Sequence, residues 1–350
     1  MTPSRDDVLE ALRNVNDPEL GEDIVSLEMV ENVRLDGSTA HFRVNLPAPG
    51  MKEELRDDIT EALSDVEGLE GLQVEWSSEA EAADEESEVL PNVDKVIAVS
   101  SGKGGVGKST VAVNLAAALS DAGATVGLFD SDVYGPNVPR MLGSDAQPRV
   151  DKDEKIIPPE KSGIKVMSMG YLTGQDTPVV WRGAMVHNAL TQLLNDVNWG
   201  DLDYLVVDMP PGTGDAQLTI AQTIPVTGAV IVTTPQTVSL DDSRKGVEMF
   251  EKTNVPVVGI VENMSEFVCP DCGGHHDIFG SGAGQKLADE VDVPLVGRIP
   301  IDPNVRTGGD EGEPIVLSDL DSPAKDALRG AADSIRDEVD SIGDRKLPMV

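Results

Sequence analysis

The run Gly102-Lys-Gly-Gly-Val-Gly-Lys-Ser-Thr110 stands directly behind the β-branched stretch Val96–Ser100 and ahead of a segment with helical periodicity. Strand, glycine loop and helix in that order match GxxxxGK[ST], a pattern with one physical purpose. Gly102, Gly104, Gly105 and Gly107 let the backbone curl tightly around Val106 and turn its N–H groups toward phosphate oxygens. The helix that follows adds its positive N-terminal end. Lys108 is expected to reach the β- and γ-phosphates, Ser109 to ligate magnesium, and Thr110 to complete the nucleotide grip.

A loop of this kind needs a parallel sheet to hold it. From Lys95 onward, short β-branched runs (Val96–Val99, Thr125–Phe129, Tyr204–Val207, Ala229–Val232, Val257–Val261 and Pro294–Val296) alternate with helical segments. Successive strand–helix units predict an α/β fold, a doubly wound and mostly parallel sheet, over 95–350. The final stretch, Pro323 to Ile342, reads as an acidic surface helix without the basic face that a membrane-surface helix carries. Residues 1–78 read as a small α+β domain. A helix through Val8, Leu9 and Leu12 leads to the turn Asn16-Asp17-Pro18-Glu19. Strands follow from Val25 to Leu35 and Ala40 to Leu46, then a helix from about Met51 to Leu63 and a strand Leu72–Trp76. Between the two, 79–94 is an acidic linker, because EAEAADEESE has like charges and no large apolar residue.

The whole chain is acidic, with 27 Lys and Arg against 63 Asp and Glu, a formal charge of −36. That field repels nucleic acid and anionic membrane, so neither is expected as a partner. The acid is spread throughout, as in halophilic proteins from cells that hold molar salt, where screening tames the repulsion. No apolar run approaches the ~20 residues of a membrane helix, and no basic-apolar leader opens the chain, so a cytoplasmic protein is expected.

Two further strand ends carry acid. Phe129-Asp130-Ser-Asp132 can turn two carboxylates toward phosphates and an attacking water, and Leu205-Val-Val-Asp208 ends an apolar strand in a third. Asn263 follows another strand at the position where such sheets read a base. Its amide offers the donor and acceptor that adenine requires, whereas a guanine reader would show Asn-Lys-x-Asp in place of Asn263-Met264-Ser265-Glu266. ATP is therefore expected over GTP.

Cys269 and Cys272 are the chain's two cysteines, set in Phe267-Val-Cys269-Pro-Asp-Cys272-Gly-Gly-His275-His276. Two thiolates at this spacing can hold one metal, and Pro270 with Gly273 suits a tight turn around it. Four ligands are the usual requirement. A twofold homodimer could supply two such pairs, or His275 and His276 could join within one chain, although adjacent histidines point apart.

The stretches SGKGGVGKST, FDSDVYGPN, DMPPGTGD and ENMSEFVCPDCGGHHDIFG together resemble the Mrp/ApbC family of iron–sulfur cluster carrier ATPases, over 95 to about 310. The loop KGGVGKST resembles the deviant Walker A class of P-loop ATPases. That resemblance implies that Lys103 reaches across a dimer to the partner's nucleotide, and that Asp132 positions or activates the water while Asp130 supports magnesium. It also implies that Asp208 holds magnesium through water and that the Gly212 N–H lies near the γ-phosphate. For the whole chain it implies slow ATP hydrolysis, and a labile [4Fe-4S] cluster bridged between subunits and passed to apo iron–sulfur proteins. Residues 1–78 resemble the iron–sulfur assembly domain often fused to these ATPases. Stand-alone versions often have a cysteine before the later helix, where this chain has Pro47-Ala-Pro-Gly-Met51, so a docking or regulatory role is expected. The competing readings are a zinc-stapled dimeric regulatory ATPase, a partitioning-type ATPase, and an ATP-driven electron donor whose single separated cysteines do not match this pair. Arg182, in Trp181-Arg182-Gly183, could touch a partner or form a surface ion pair, and His187 reads as a packing residue.

Overall fold

The computed structural model describes residues 3, 5–16, 23–27, 29–36, 39–46, 52–64, 66, 68–69, 71–78, 90–132, 135–152, 155–171, 190, 193–194, 196–269 and 271–343. Two compact units result, 1–88 and 89–350.

In the first unit, α1 (Arg5–Leu12), β1 (Val30–Asp36), β2 (Thr39–Leu46), α2 (Lys52–Ser64) and β3 (Gly71–Ser78) follow one another. The sheet runs β1-β2-β3, with β1 antiparallel to β2 and β2 parallel to β3. Val8 and Leu12 of α1 and Leu55 and Ile59 of α2 are buried with Phe42 and Val44 of β2 in one core. The strand expected from Val25 begins only at Val30. Residues 24–27 are a turn, because the Ser26 N–H donates to Asp23 Oδ1 at 2.8 Å and the Met29 N–H to the Ile24 carbonyl at 3.0 Å. Asp17-Pro18-Glu19, Pro47–Met51 and 79–89 of the expected linker lie outside the described residues.

In the second unit, β4 (Val93–Ser100), α3 (Lys108–Asp121), β5 (Val126–Asp130), α4 (Val138–Met141), β6 (Ile164–Ser168) and β7 (Leu202–Asp208) come first. Then follow α5 (Asp215–Thr223), β8 (Gly228–Thr233), α6 (Thr237–Lys252), β9 (Val257–Val268), β10 (His275–His276), α7 (Ala283–Val291), β11 (Leu295–Ile301), α8 (Pro303–Glu311) and α9 (Pro323–Gly343). Strand β4 starts at Val93, so the last two residues of the span expected as linker belong to the sheet. The strand order is β10-β9-β8-β4-β7-β5-β6, with β11 beside β9 and Glu160–Lys161 antiparallel at the far edge. The seven strands from β6 across to β11 are mutually parallel, a doubly wound α/β sheet as the β-branched runs predict. Val96, Ile97, Ala98 and Val99 are all buried, and each large one contributes about 1.5–3 kcal/mol by leaving water.

Two features differ from expectation, and a third adds detail to it. Strand β6 was not foreseen, because Lys165 interrupts a short apolar run; its ammonium leaves the core to meet the Trp199 carbonyl. Strand β9 continues past Asn263 to Val268 through an irregular register at Asn263–Phe267, where Met264 takes a positive φ of 58°. Such a bulge bends a strand, and beyond it Phe267 resumes pairing with Ile301, just before the cysteine segment. Helix α9 is acidic mainly on its outer face, while Asp340 turns inward to Lys95 of β4 and the Tyr204 hydroxyl of β7. Ala324, Leu328, Ala332, Ile335 and Val339 recur at helical spacing and are buried against the layer formed by α3 and β11.

Candidate functional site

All the carboxyl ends of the parallel strands open on one side, and β4, the first strand, lies in the middle of the sheet. Its strand-following units go to one side and β8 is added on the other, the topology that makes a crevice at the strand ends. The loop 102–107 fills that position. Gly105 and Gly107 have φ of +80° and +83°, a region that glycine enters without strain, and Gly104 and Gly105 are exposed. Val106 is buried and anchors the loop from below. Gly102 is required for a different reason: a Cβ there would stand 2.1 Å from the Asp242 carbonyl carbon of α6, whereas at Gly104 it would meet nothing closer than 3.9 Å. Gly102→Ala is therefore expected to cost about 1–3 kcal/mol and most ADP affinity, and Gly104→Ala to leave the urea midpoint unchanged. Equal midpoints for the two variants would contradict that difference.

Lys108 is the first residue of α3 and is buried, with Nζ 2.5 Å from Asp208 Oδ1 and 3.4 Å from the Ser109 hydroxyl. Asp208 ends β7 and is likewise buried. Burial raises its carboxyl above the ordinary range despite the Lys108 ammonium, and the Ser109 hydroxyl and the Asp132 carboxylate also act on it. Its second oxygen, Oδ2, is buried with no hydrogen-bond partner. A buried unsatisfied carboxylate oxygen beside a hydroxyl and a second carboxylate is the hard oxygen set that a magnesium ion or its water fits.

Asp130 pairs in register with Asp208 across β5 and β7. Its Oδ2 accepts from the Val138 N–H at 3.2 Å and the Ser168 hydroxyl at 3.0 Å, and its Oδ1 from the Asp132 N–H at 3.2 Å. It thus ties the loop 131–138 to β5, and Ser168 comes from the strand that was not foreseen. Asp132 is half-buried, and its Oδ1 accepts the Gly135 N–H at 3.2 Å. Burial and then the Asp208 charge push the Asp130 carboxyl up to about 7. In the unfolded chain it ionises near 3.8, so between these values the folded protein keeps a proton that the unfolded chain has lost. The metal-free protein should accordingly lose stability as pH rises from about 4 to about 7. Urea midpoints at about pH 5 and about pH 8 check this, and Asp130→Asn should flatten the dependence.

The Gly212 N–H, with φ +100° at that residue, donates to the Ser101 carbonyl at 3.0 Å, so it must exchange that partner to reach a phosphate. The buried Gln217 amide donates to the Pro210 carbonyl and to Ser100 Oγ at 3.3 Å, bracing this turn from behind. Nothing in the sequence marked that role. Lys103 Nζ lies 3.4 Å from Gln236 Oε1 of the same chain. Asn263 Nδ2 donates to the Val106 carbonyl at 2.8 Å, so the expected base reader also braces the phosphate loop. It opens onto a cavity of about 590 Å³ that Gly107, Ser109 and Thr110 share with Met264, Ile299 and Pro300. A mostly apolar slot that also carries the Asn137 and Asn263 amides and the charged Arg140, Asp302, Arg306 and Asp310, directly beside the phosphate loop, suits a nucleoside.

The cysteines cap the far end of β9. The Cys269 N–H donates to the Gly274 carbonyl and the Gly273 N–H to the Cys269 carbonyl, both at 2.9 Å, with Gly273 at φ +69°. In this tight turn the N–H of Cys272, then that of Asp271, bond the Cys269 sulfur and hold its thiol below the ordinary value. Cys269 is half-buried and Cys272 exposed, and both are free thiols. Amides aimed at sulfur stabilise a thiolate, the form that binds soft metals. His275 Nδ1 turns to Glu266 Oε2 at 2.8 Å, while the His276 ring stacks against Phe267 with centroids 6.4 Å apart. Among the described residues no group of three or more His, Cys, Asp or Glu side chains converges as a metal site. Residues 181–183, His187 and Pro270 lie outside the described residues. No helix among the described residues is long and apolar enough to cross a membrane.

Residues 92–336 match the family of NUBPL iron-transfer P-loop NTPases, and residues 5–76 match the iron–sulfur cluster assembly proteins. The chain is 48% identical to an iron–sulfur cluster carrier protein of Deinococcus radiodurans, covering 95% of each chain. Among solved structures it resembles a nucleotide-binding protein from Archaeoglobus fulgidus in complex with ADP, with cobalt present. Identity there is 39%, the TM-score 0.59, and the match covers 65% of this chain and 90% of that one. It also resembles the cell division ATPase MinD of Pyrococcus furiosus, 25% identical with a TM-score of 0.54, covering 70% of this chain and 99% of that one.

Proposed function

Because the chain belongs to the family of NUBPL iron-transfer P-loop NTPases, we propose that it is an ATP-hydrolysing carrier of iron–sulfur clusters that delivers them to apo-proteins. The observation that carries this reading is the turn 269–274, two free thiols with amides aimed at one sulfur, at the end of the strand that also supplies Asn263. One chain offers two thiols there and a cubane takes four, so a [4Fe-4S] cluster is held between two copies. Lys103 fits the same arrangement, since exchanging Gln236 for a partner's phosphate frees a cation for the developing charge of phosphoryl transfer.

Within one site, the amides of Gly102 to Gly107, with Lys108 and Thr110, hold the phosphates of ATP. Ser109 and Asp208 hold magnesium, the latter through water, and the ion neutralises phosphate charge when bound. Asp132 orients the attacking water, Asp130 fixes the loop that carries Asp132, and Gly212 takes up the γ-phosphate after leaving Ser101. Asn263 meets the base. We assign residues 95–350 to this ATPase, 79–94 to a linker, and 1–78 to a docking or regulatory domain. The protein works in the cytoplasm, without membrane or nucleic acid, and its 63 acidic residues suit a halophilic cell.

Anaerobic reconstitution with iron and sulfide tests the proposal. About four irons and four sulfides per dimer, passed on to an apo-protein, are expected. Roughly one zinc per dimer without sulfide uptake would instead make the cysteines a structural staple.

A further inference from the structure

Ile278 and Phe279 are large apolar residues, 57% and 37% exposed, and both line the cavity beside Gly107, Ser109 and Thr110. Large apolar side chains left in water beside a concave site are surfaces that await a cover. These two residues are also the direct continuation of the cysteine turn. Residues His275–His276 pair antiparallel with Phe267–Val268, the two residues immediately before Cys269. The Ile278 N–H then donates to the His276 carbonyl at 3.0 Å, so the wall of the cavity hangs on the hairpin that closes the thiol turn.

Beyond Phe279 the backbone turns through two glycines, with the Gly280 N–H donating to the Asp277 carbonyl at 3.2 Å, and then is pinned. Gly280 and Gly282 have φ of +86° and +77°, and the Gly284 N–H donates to the buried Glu262 at 2.6 Å. Segment 277–282 is thus held by β10 at one end and by α7 at the other, with its apolar residues facing the cavity between. A base entering that cavity covers them, and any shift of the segment is passed to a hairpin only two residue pairs long.

We propose that Ile278 and Phe279 form the movable wall of the nucleoside site and act as positioning residues that report its occupancy to Cys269 and Cys272. This rests on the reading of the cavity as the nucleoside site. Nucleotide and cluster are then coupled through residues 275–279 of a single chain, in addition to any change between subunits. The coupling needs no new chemistry, only a different packing of the wall when a base lies on it.

The test is alkylation of Cys269 and Cys272 by iodoacetamide in the full-length, cluster-free protein, followed by peptide mass, with and without saturating ADP and magnesium. Wild-type rates are expected to change roughly fivefold or more on ADP binding. In the double variant Ile278→Ala/Phe279→Ala, with ADP raised until calorimetry shows saturation, the rates should no longer respond. Phe279→Leu, which keeps an apolar wall, should restore the response. If the double variant takes up no ADP, Phe279→Ala alone is read in the same way. Wild-type thiols indifferent to saturating ADP would overturn the coupling while leaving cluster carriage intact, since cluster content is measured without nucleotide. Double-variant thiols that respond as in the wild type would remove Ile278 and Phe279 from the path.

Discussion

Lys108→Ala should abolish ATP hydrolysis and also weaken the fold, a double loss that few loop substitutions produce. The ammonium lies 2.5 Å from Asp208 with both side chains buried, and Asp130 stands beside Asp208 in register. Removing the one cation leaves two neighbouring carboxylates in a dry site. Breaking a buried pair in this way costs about 3–5 kcal/mol, reduced to the extent that Asp208 takes up a proton. Hydrolysis loses the charge that stabilises the transferring phosphoryl group, a fall of at least ~100-fold. The two losses separate in the double variant Lys108→Met/Asp208→Asn. Its urea midpoint should recover most of the way, because Asp208 no longer carries a charge and Asp130, pushed up to about 7, can keep its proton without the ammonium, while turnover stays absent. Turnover within about tenfold of the wild type in Lys108→Ala would mean that the phosphates are gripped elsewhere.

Substituting either cysteine by serine should empty the metal site completely, not by half. The proposed cubane, held by two turns of two thiolates, would have no spare ligand, and a hydroxyl is a poor replacement for thiolate toward iron. Iron and sulfide per dimer should fall from about four each to background in Cys269→Ser and equally in Cys272→Ser. Nucleotide binding should persist, because no cysteine lines the cavity beside the phosphate loop. Of the two, Cys269→Ser also removes the sulfur that the amides of Cys272 and Asp271 hold in its low-pKa state. Its partner Cys272 is the more exposed of the two, so it is the ligand expected to let go first on transfer to an apo-protein. Retention of half the iron in either variant would point to ligands beyond these two residues.

Much of the fold was legible because the signals are local. The β-branched runs became the strands that flank the site, four of them within a few residues of their expected ends and β9 and β11 running further, since an apolar run of that length has few other places to go. Strand β6 and the end of β9 were not legible for a matching reason. A lysine broke the apolar run of one, and the other continues through a polar stretch because its neighbour, β11, supplies the pairing. Helix α9 reads as an acidic surface helix from Asp326, Asp333, Asp337 and Glu338, which are exposed, while the spacing of Leu328, Ala332, Ile335 and Val339 buries its other face.

By itself the sequence determined the phosphate loop and the thiol pair. Both depend on residues within ten positions of one another, so glycine freedom, helix polarity and cysteine spacing act before any long-range packing. Only the tertiary structure decided that Lys108 pairs with Asp208, that Asp130 lies beside that pair, that Asn263 braces Val106, and that Ile278 and Phe279 wall the cavity. These partners stand up to 157 positions apart in the chain. Which strand lies beside which, and in what register, is set by the burial of whole sheet faces, a quantity that no local stretch of sequence contains.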